Sequence, residues 1–188
     1  MTEFIKKNIK RIGDVSSNTY DHAKVAVNRH RQVHDYDKEE FRSYIEDLMK
    51  HEKVRQMAEY IQHSDIDCLH HCLRVSYYNF KVCKKLGLDA KSAARAGLLH
   101  DFFLYDWHYR KVKLDNTLHG FSHPYTALYN AQHYFDINDK ERDIIEKHMF
   151  PLTPRFPKYK ETFVIILTDK FISTGEVMDR FFKHKKSA

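Results

Sequence analysis

The run Ala94-Arg95-Ala96-Gly97-Leu98-Leu99-His100-Asp101 closes a stretch of small residues that starts at Ala90. Ala90, Ser92, Ala93, Ala94, Ala96 and Gly97 put little bulk on the backbone, so a helix here lets its neighbours come close. Asp89 caps that helix, and Leu86-Gly87-Leu88 ends the one before it, because Gly enters the left-handed conformation at least cost. The helix closes near His100-Asp101. An imidazole and a carboxylate then lie at the floor of a cleft rather than on an open face.

Working outward, long Pro-free stretches and only 5 Gly and 4 Pro in 188 residues favour an all-α chain. Three of the four Pro fall in one turn, Pro151, Pro154 and Pro157. The fourth, Pro124, is expected to open a helix with Ala127, Leu128, Ala131 and Tyr134 inside. Upstream, Asp37 is expected to cap a helix with Phe41, Tyr44, Ile45 and Leu48 at spacings of three and four. Val54, Met57, Ala58 and Ile61 continue that face in a second helix. Asp65 or Asp67 starts a third, in which His71, Arg74 and Tyr78 share one stripe. Asn138 or Asp139 caps a helix carrying Ile144, Ile145 and His148. Phe163-Val164-Ile165-Ile166-Leu167 is apolar all round, which predicts a central helix.

That last helix is interrupted by Asp169 and Lys170. A carboxylate in a buried helix costs several kcal/mol unless it is paired or coordinated. Lys170 is adjacent and so points away, which favours coordination. Imidazole nitrogen and carboxylate oxygen together suit borderline divalent ions: Fe, Mn, Co, Ni or Zn.

The order His71 in His-Cys-Leu-Arg-Val, His100-Asp101, His123 in Ser-His-Pro, His148 in Glu-Lys-His-Met, and Asp169-Lys170 resembles the HD-domain metal-dependent phosphohydrolases, in their six-ligand variety. The resemblance covers roughly residues 60 to 176. It implies a compact multi-helix HD-type domain over 37–188, with residues 1–36 as a basic extension, helical or irregular. It further implies two divalent transition-metal ions, with Mg also admissible. His71, His100, Asp101 and Asp169 would hold the first ion and His123 and His148 the second. Asp101 is the natural bridge, since its two oxygens can serve two ions. The claims of His123 and His148 rest on the family order; His119, four residues before His123, competes for that place.

The chemistry implied is cleavage of a phosphomonoester or phosphodiester. Two bridged ions bring the pKa of a shared water towards neutrality, and the hydroxide attacks phosphorus in line. The small phosphorylated substrate is taken to include nucleotides. Arg74, one turn beyond His71, is the first choice for a phosphate contact, ahead of Lys170, Arg110 and Lys111. Asp106 or His108 could protonate the leaving oxygen. Tyr105 and Trp107 could stack on a base, although packing is the plainer role. A one-ion variant leaves His123 and His148 to contact phosphate.

Composition narrows the alternatives. Net charge is +6 from 32 Lys and Arg against 26 Asp and Glu, with much of the excess at the two ends. Such a surface favours anionic partners, and motivates the alternative of a non-catalytic nucleotide- or nucleic-acid-binding module on the same scaffold. No aromatic-basic RNA motif or helix-turn-helix pattern backs it, so nucleic acid ranks well behind. Three Cys (Cys68, Cys72, Cys83) and no apparent export signal point to reduced thiols and a cytoplasmic protein. Cys68 and Cys72 flank His71, yet no second Cys pair completes a zinc arrangement. No apolar run approaches the roughly 20 residues of a membrane helix. A homo-oligomer is left open.

Overall fold

The computed structural model describes residues 35–63, 66–107 and 119–186. The chain divides at Glu40, and Phe41–Ala188 is the larger unit. The fold is all-α. Seven helices are described, joined by one short 3-10 turn and a two-stranded ladder. They are α1 (Asp35–Lys50), α2 (Glu52–Gln56), α3 (Cys68–Lys85), α4 (Ala90–Leu99), α5 (His119–Tyr134), α6 (Asp139–Lys147) and α7 (Lys160–Lys186). No described helix is long and apolar enough to cross a membrane.

The pair α3 and α4 forms the centre. Asp67 caps α3 by accepting from His70 N at 2.9 Å, and Asp89 caps α4 by accepting from Ser92 N at 3.0 Å. Between them Gly87 takes φ +66°, and Leu88 N returns to Cys83 O at 2.9 Å. That is the helix-ending geometry the Leu-Gly-Leu-Asp run predicts. The small face of α4 lies directly on α3. A Cβ added to Gly97 would stand 2.7 Å from Ser76 Cα, so any larger residue there pushes the helices apart. Ser76 Oγ seals the contact by donating to Ala94 O at 2.6 Å. Phe80, Leu98, Leu99, Phe102 and Ile165 are fully buried around this pair.

Asp37 lies inside α1, which begins at Asp35, rather than capping it, and three further sequence expectations need correction. The second helix does not run on to Ile61: α2 stops at Gln56, a 3-10 turn covers Met57–Glu59, and β1 (Ile61–His63) pairs antiparallel with β2 (Ile66–Asp67). Cys68 N donates to Tyr60 O at 2.8 Å, which holds this corner against the start of α3. Two-residue alternation in β1 turns Ile61 outward and buries Gln62. The second correction concerns Pro124, which lies inside α5 rather than opening it, since the helix starts at His119. A proline this near the N-terminus removes only one early hydrogen bond. Finally, α7 is not buried all round. Val164, Ile165, Ile166 and Ile172 face the core, while Phe163, Leu167 and Phe171 are exposed.

Candidate metal centre

Five elements bring His71, His100, Asp101, His123, His148 and Asp169 into one cluster. α3 supplies His71, the end of α4 supplies His100 and Asp101, α5 supplies His123, the end of α6 supplies His148, and α7 supplies Asp169. All are buried except Asp169, which is nearly so.

Asp101 divides the cluster in two. Its Oδ2 lies 3.3 Å from His100 Nε2 and 4.0 Å from His71 Nε2. Its Oδ1 lies 3.1 Å from His123 Nε2 and 3.5 Å from His148 Nε2. On the Oδ2 side Asp169 Oδ1 adds a second carboxylate, 3.1 Å from His71 Nε2 and 3.7 Å from His100 Nε2. On the Oδ1 side the two imidazole nitrogens of His123 and His148 are 2.9 Å apart.

Every ring is turned the same way. The Nδ1 of His100 faces Gly97 O at 2.9 Å, that of His123 faces His119 O at 2.8 Å, and that of His148 faces Ile145 O at 2.9 Å. The Nδ1 of His71 faces Glu176 Oε2, also at 2.9 Å. Carbonyl and carboxylate oxygens only accept, so each Nδ1 carries a proton and donates it. Each Nε2 is thereby aimed inward as a potential ligand atom, the usual second-sphere arrangement around a metal. His100 Nε2 and Asp101 Oδ1 are fully buried without any well-aligned hydrogen bond. Buried polar atoms are rarely left so, and bound cations on the two sides would satisfy them. The donor set therefore fits: these groups could hold a metal ion.

The electrostatics point the same way. Burial alone would lower the pKa of His71, but Asp169 and Glu176 hold it well above the ordinary histidine value. His100 is likewise raised against its burial, chiefly by Asp101. Burial opposes ionisation of Asp101 and Asp169 as well, yet the imidazoles hold both carboxyls well below their usual range. His148 is lowered, with burial the dominant cause. The cluster thus keeps two carboxylates ionised and draws positive charge onto the Asp169 side.

The remaining sequence candidates lie as follows. Arg74 Nη1 donates to Glu176 Oε1 at 2.9 Å, so it meets the carboxylate behind His71. Lys170 Nζ donates to Phe150 O at 3.4 Å and, as expected from its adjacency, points away from Asp169. His119 is not the inward imidazole. Its Nδ1 pairs with Tyr105 Oη at 3.0 Å, and its ring stacks between Trp107 and His123. Trp107 and Tyr105 are both engaged with this histidine, the plainer of their two expected roles. Asp106 is half-buried and belongs to none of the possible metal-holding groups among the described residues. His108, Arg110 and Lys111 lie outside the described residues, as does nearly all of the 1–36 extension.

Gln62 and Glu176 escape the sequence reading, and Cys72, which that reading sets aside as a ligand, also lies at the cluster. Gln62 Nε2 donates to Asp101 Oδ2 at 2.5 Å; a helix over Ile61 hid the alternation that points it inward. Cys72 Sγ lies within reach of His100 and Asp101. Burial pushes that thiol well above its ordinary pKa, which favours the imidazoles and carboxylates as donors. Glu176 sits seven residues, two helical turns, after Asp169 and so on the same face; that spacing was the available signal.

No protein-family model, curated protein or solved structure matches this chain.

Proposed function

We propose that this chain is a dinuclear-metal phosphohydrolase of the HD-domain type that its ligand order resembles. The observation that carries the reading is Asp101. One carboxylate presents Oδ2 to the His71–His100 pair and Oδ1 to the His123–His148 pair, as a bridge between two ions requires. A lone ion would leave one of these faces without a partner.

In this reading His71, His100 and Asp169 hold one ion, His123 and His148 the other, and Asp101 both. Two such ions, when bound, supply a water acidified towards neutral pH and positive charge for the phosphoryl oxygens. The protein's own part is to fix geometry. The Nδ1 contacts lock each ring, Gln62 steadies Asp101 Oδ2, and the close α3–α4 contact at Gly97 holds the floor on which His100 and Asp101 stand. Glu176 and Arg74 brace His71 from behind. The substrate class is a phosphate ester small enough to reach the cluster, with nucleotides included.

Metal analysis of the purified protein tests this. It is run with an Mn-supplemented assay on bis-p-nitrophenyl phosphate and p-nitrophenyl phosphate. About two ions per chain and hydrolysis that disappears in Asp101→Ala are expected. A ratio near one in fully loaded, active protein would defeat the two-ion claim. No turnover by loaded protein across a broad phosphoester panel would defeat the enzyme.

A further inference from the structure

The two sides of the cluster are not equivalent. His100, His123 and His148 each donate Nδ1–H to a neutral backbone carbonyl. His71 alone donates to a carboxylate, Glu176 Oε2 at 2.9 Å, and both side chains are fully buried. The second oxygen of Glu176 accepts from Arg74 Nη1 at 2.9 Å, which pins the carboxylate in place. A hydrogen bond to an ionised acceptor is roughly twice as strong as one to a neutral acceptor. It also makes the opposite ring nitrogen a better donor to a metal. On the same side stands Asp169, whereas the His123–His148 side has only its share of Asp101. Ligand charge and ligand basicity both favour one side.

We propose that the two ions load in order, the His71–His100–Asp169 side first, and that Glu176 is the positioning residue that sets the gap in affinity. Arg74 serves the same function by anchoring Glu176. The inference rests on the dinuclear reading above and adds to it a hierarchy between the sites.

The test is a calorimetric titration of chelator-treated protein with Mn, repeated with Co so that the visible spectrum reports coordination directly. Wild type should show two resolved binding events. Glu176→Gln, nearly the same shape without the charge, should weaken the tighter event by about 10- to 100-fold and leave the weaker one in place. Glu176→Asp, which keeps the charge but withdraws it by one methylene, should weaken the same event and covers the case in which the Gln variant fails to fold. Asp169→Asn and His148→Ala identify the events, the first variant acting on the tighter and the second on the weaker. If the Glu176 variants leave the tighter event unmoved, or shift both events alike, the inference falls while the dinuclear reading stands. If wild type takes up no ion, both fall together.

Discussion

Asp101 and Asp143 are both buried, 3% and 5% exposed, and both carboxyls are held below their usual pKa against the cost of burial. What surrounds them differs. Asp143 is closed: Lys147 Nζ donates to Oδ1, while Lys158 N, Tyr159 N and Thr162 Oγ1 donate to Oδ2. Every one of those groups is a hydrogen-bond donor by nature, and two belong to the backbone leading into α7. Asp101 is open. It faces four imidazole nitrogens; Gln62 Nε2 donates to Oδ2, while Oδ1 has no well-aligned hydrogen bond. A closed buried carboxylate ties chain segments together; an open one surrounded by aimed nitrogens has room in its chemistry for a further partner.

The comparison can be broken by substitution. The largest effect is expected at the open site. On the dinuclear reading, Asp101→Ala should cut hydrolysis by about 10³-fold or more, since each of two such ions would contribute several kcal/mol to the transition state. It should also abolish the stabilisation expected of added Mn in wild type, about 2.7 kcal/mol at a hundredfold excess over Kd and read as a rise in Tm. Asp143→Ala should do the reverse. Stranding the donors around it should cost about 2–4 kcal/mol of stability, read from urea unfolding, while the surviving folded protein still takes up metal. If Asp143→Ala abolished metal uptake in folded protein, the distinction between the two carboxylates would fail.

pH separates the two sites further. In metal-free protein the raised His71 and His100 add stability that is fully present below about pH 6.5, their unfolded value. That stability is lost as pH rises through the raised folded values. The lowered Asp101, Asp169 and Asp143 add stability that is present above about pH 4 and lost as pH falls through their folded values. Asp143 therefore shapes only the acid limb, whereas the open cluster shapes both. Urea midpoints of chelator-treated protein should decline above neutrality in wild type, and adding Mn should reverse that decline because metal and protons compete for the same nitrogens. A flat alkaline limb would contradict the charge assignment.

The smallest effect is expected at Lys147. Its ion pair is one of four contacts to Asp143 and is partly open to solvent, so Lys147→Ala should cost about 1 kcal/mol or less. A loss as large as that of Asp143→Ala would mean the backbone donors contribute little.

How much of this was visible in the chain depends on the length of pattern involved. The all-α class follows from long stretches without Gly or Pro, and the cap at Asp89 from a local Gly-Leu-Asp run. All six proposed ligands could be named because their order along the chain resembles that of a known family; His123 and His148, taken singly, carry no such signal. The β1 corner could not be read, because Ile61 fits a helical stripe as well as it fits a strand and only the pairing with Ile66–Asp67 decides. The start of α5 at His119 was obscured by Pro124, because proline sits most readily in a helix's first turn, whereas here it lies in the second. The apolar run 163–167 showed no polar face, so periodicity did not reveal that Phe163 and Leu167 stay in water. The pairing of Arg74 with Glu176 had no local signal, because the two lie 102 residues apart.

The four locked imidazole rings carry one more consequence. Each ring has lost its rotameric freedom before any ion arrives, because backbone oxygens and Glu176 fix it as the helices pack. The ordering cost of the ligand sphere falls on folding rather than on capture. A cation entering the cluster would meet a rigid lattice of nitrogens instead of assembling one.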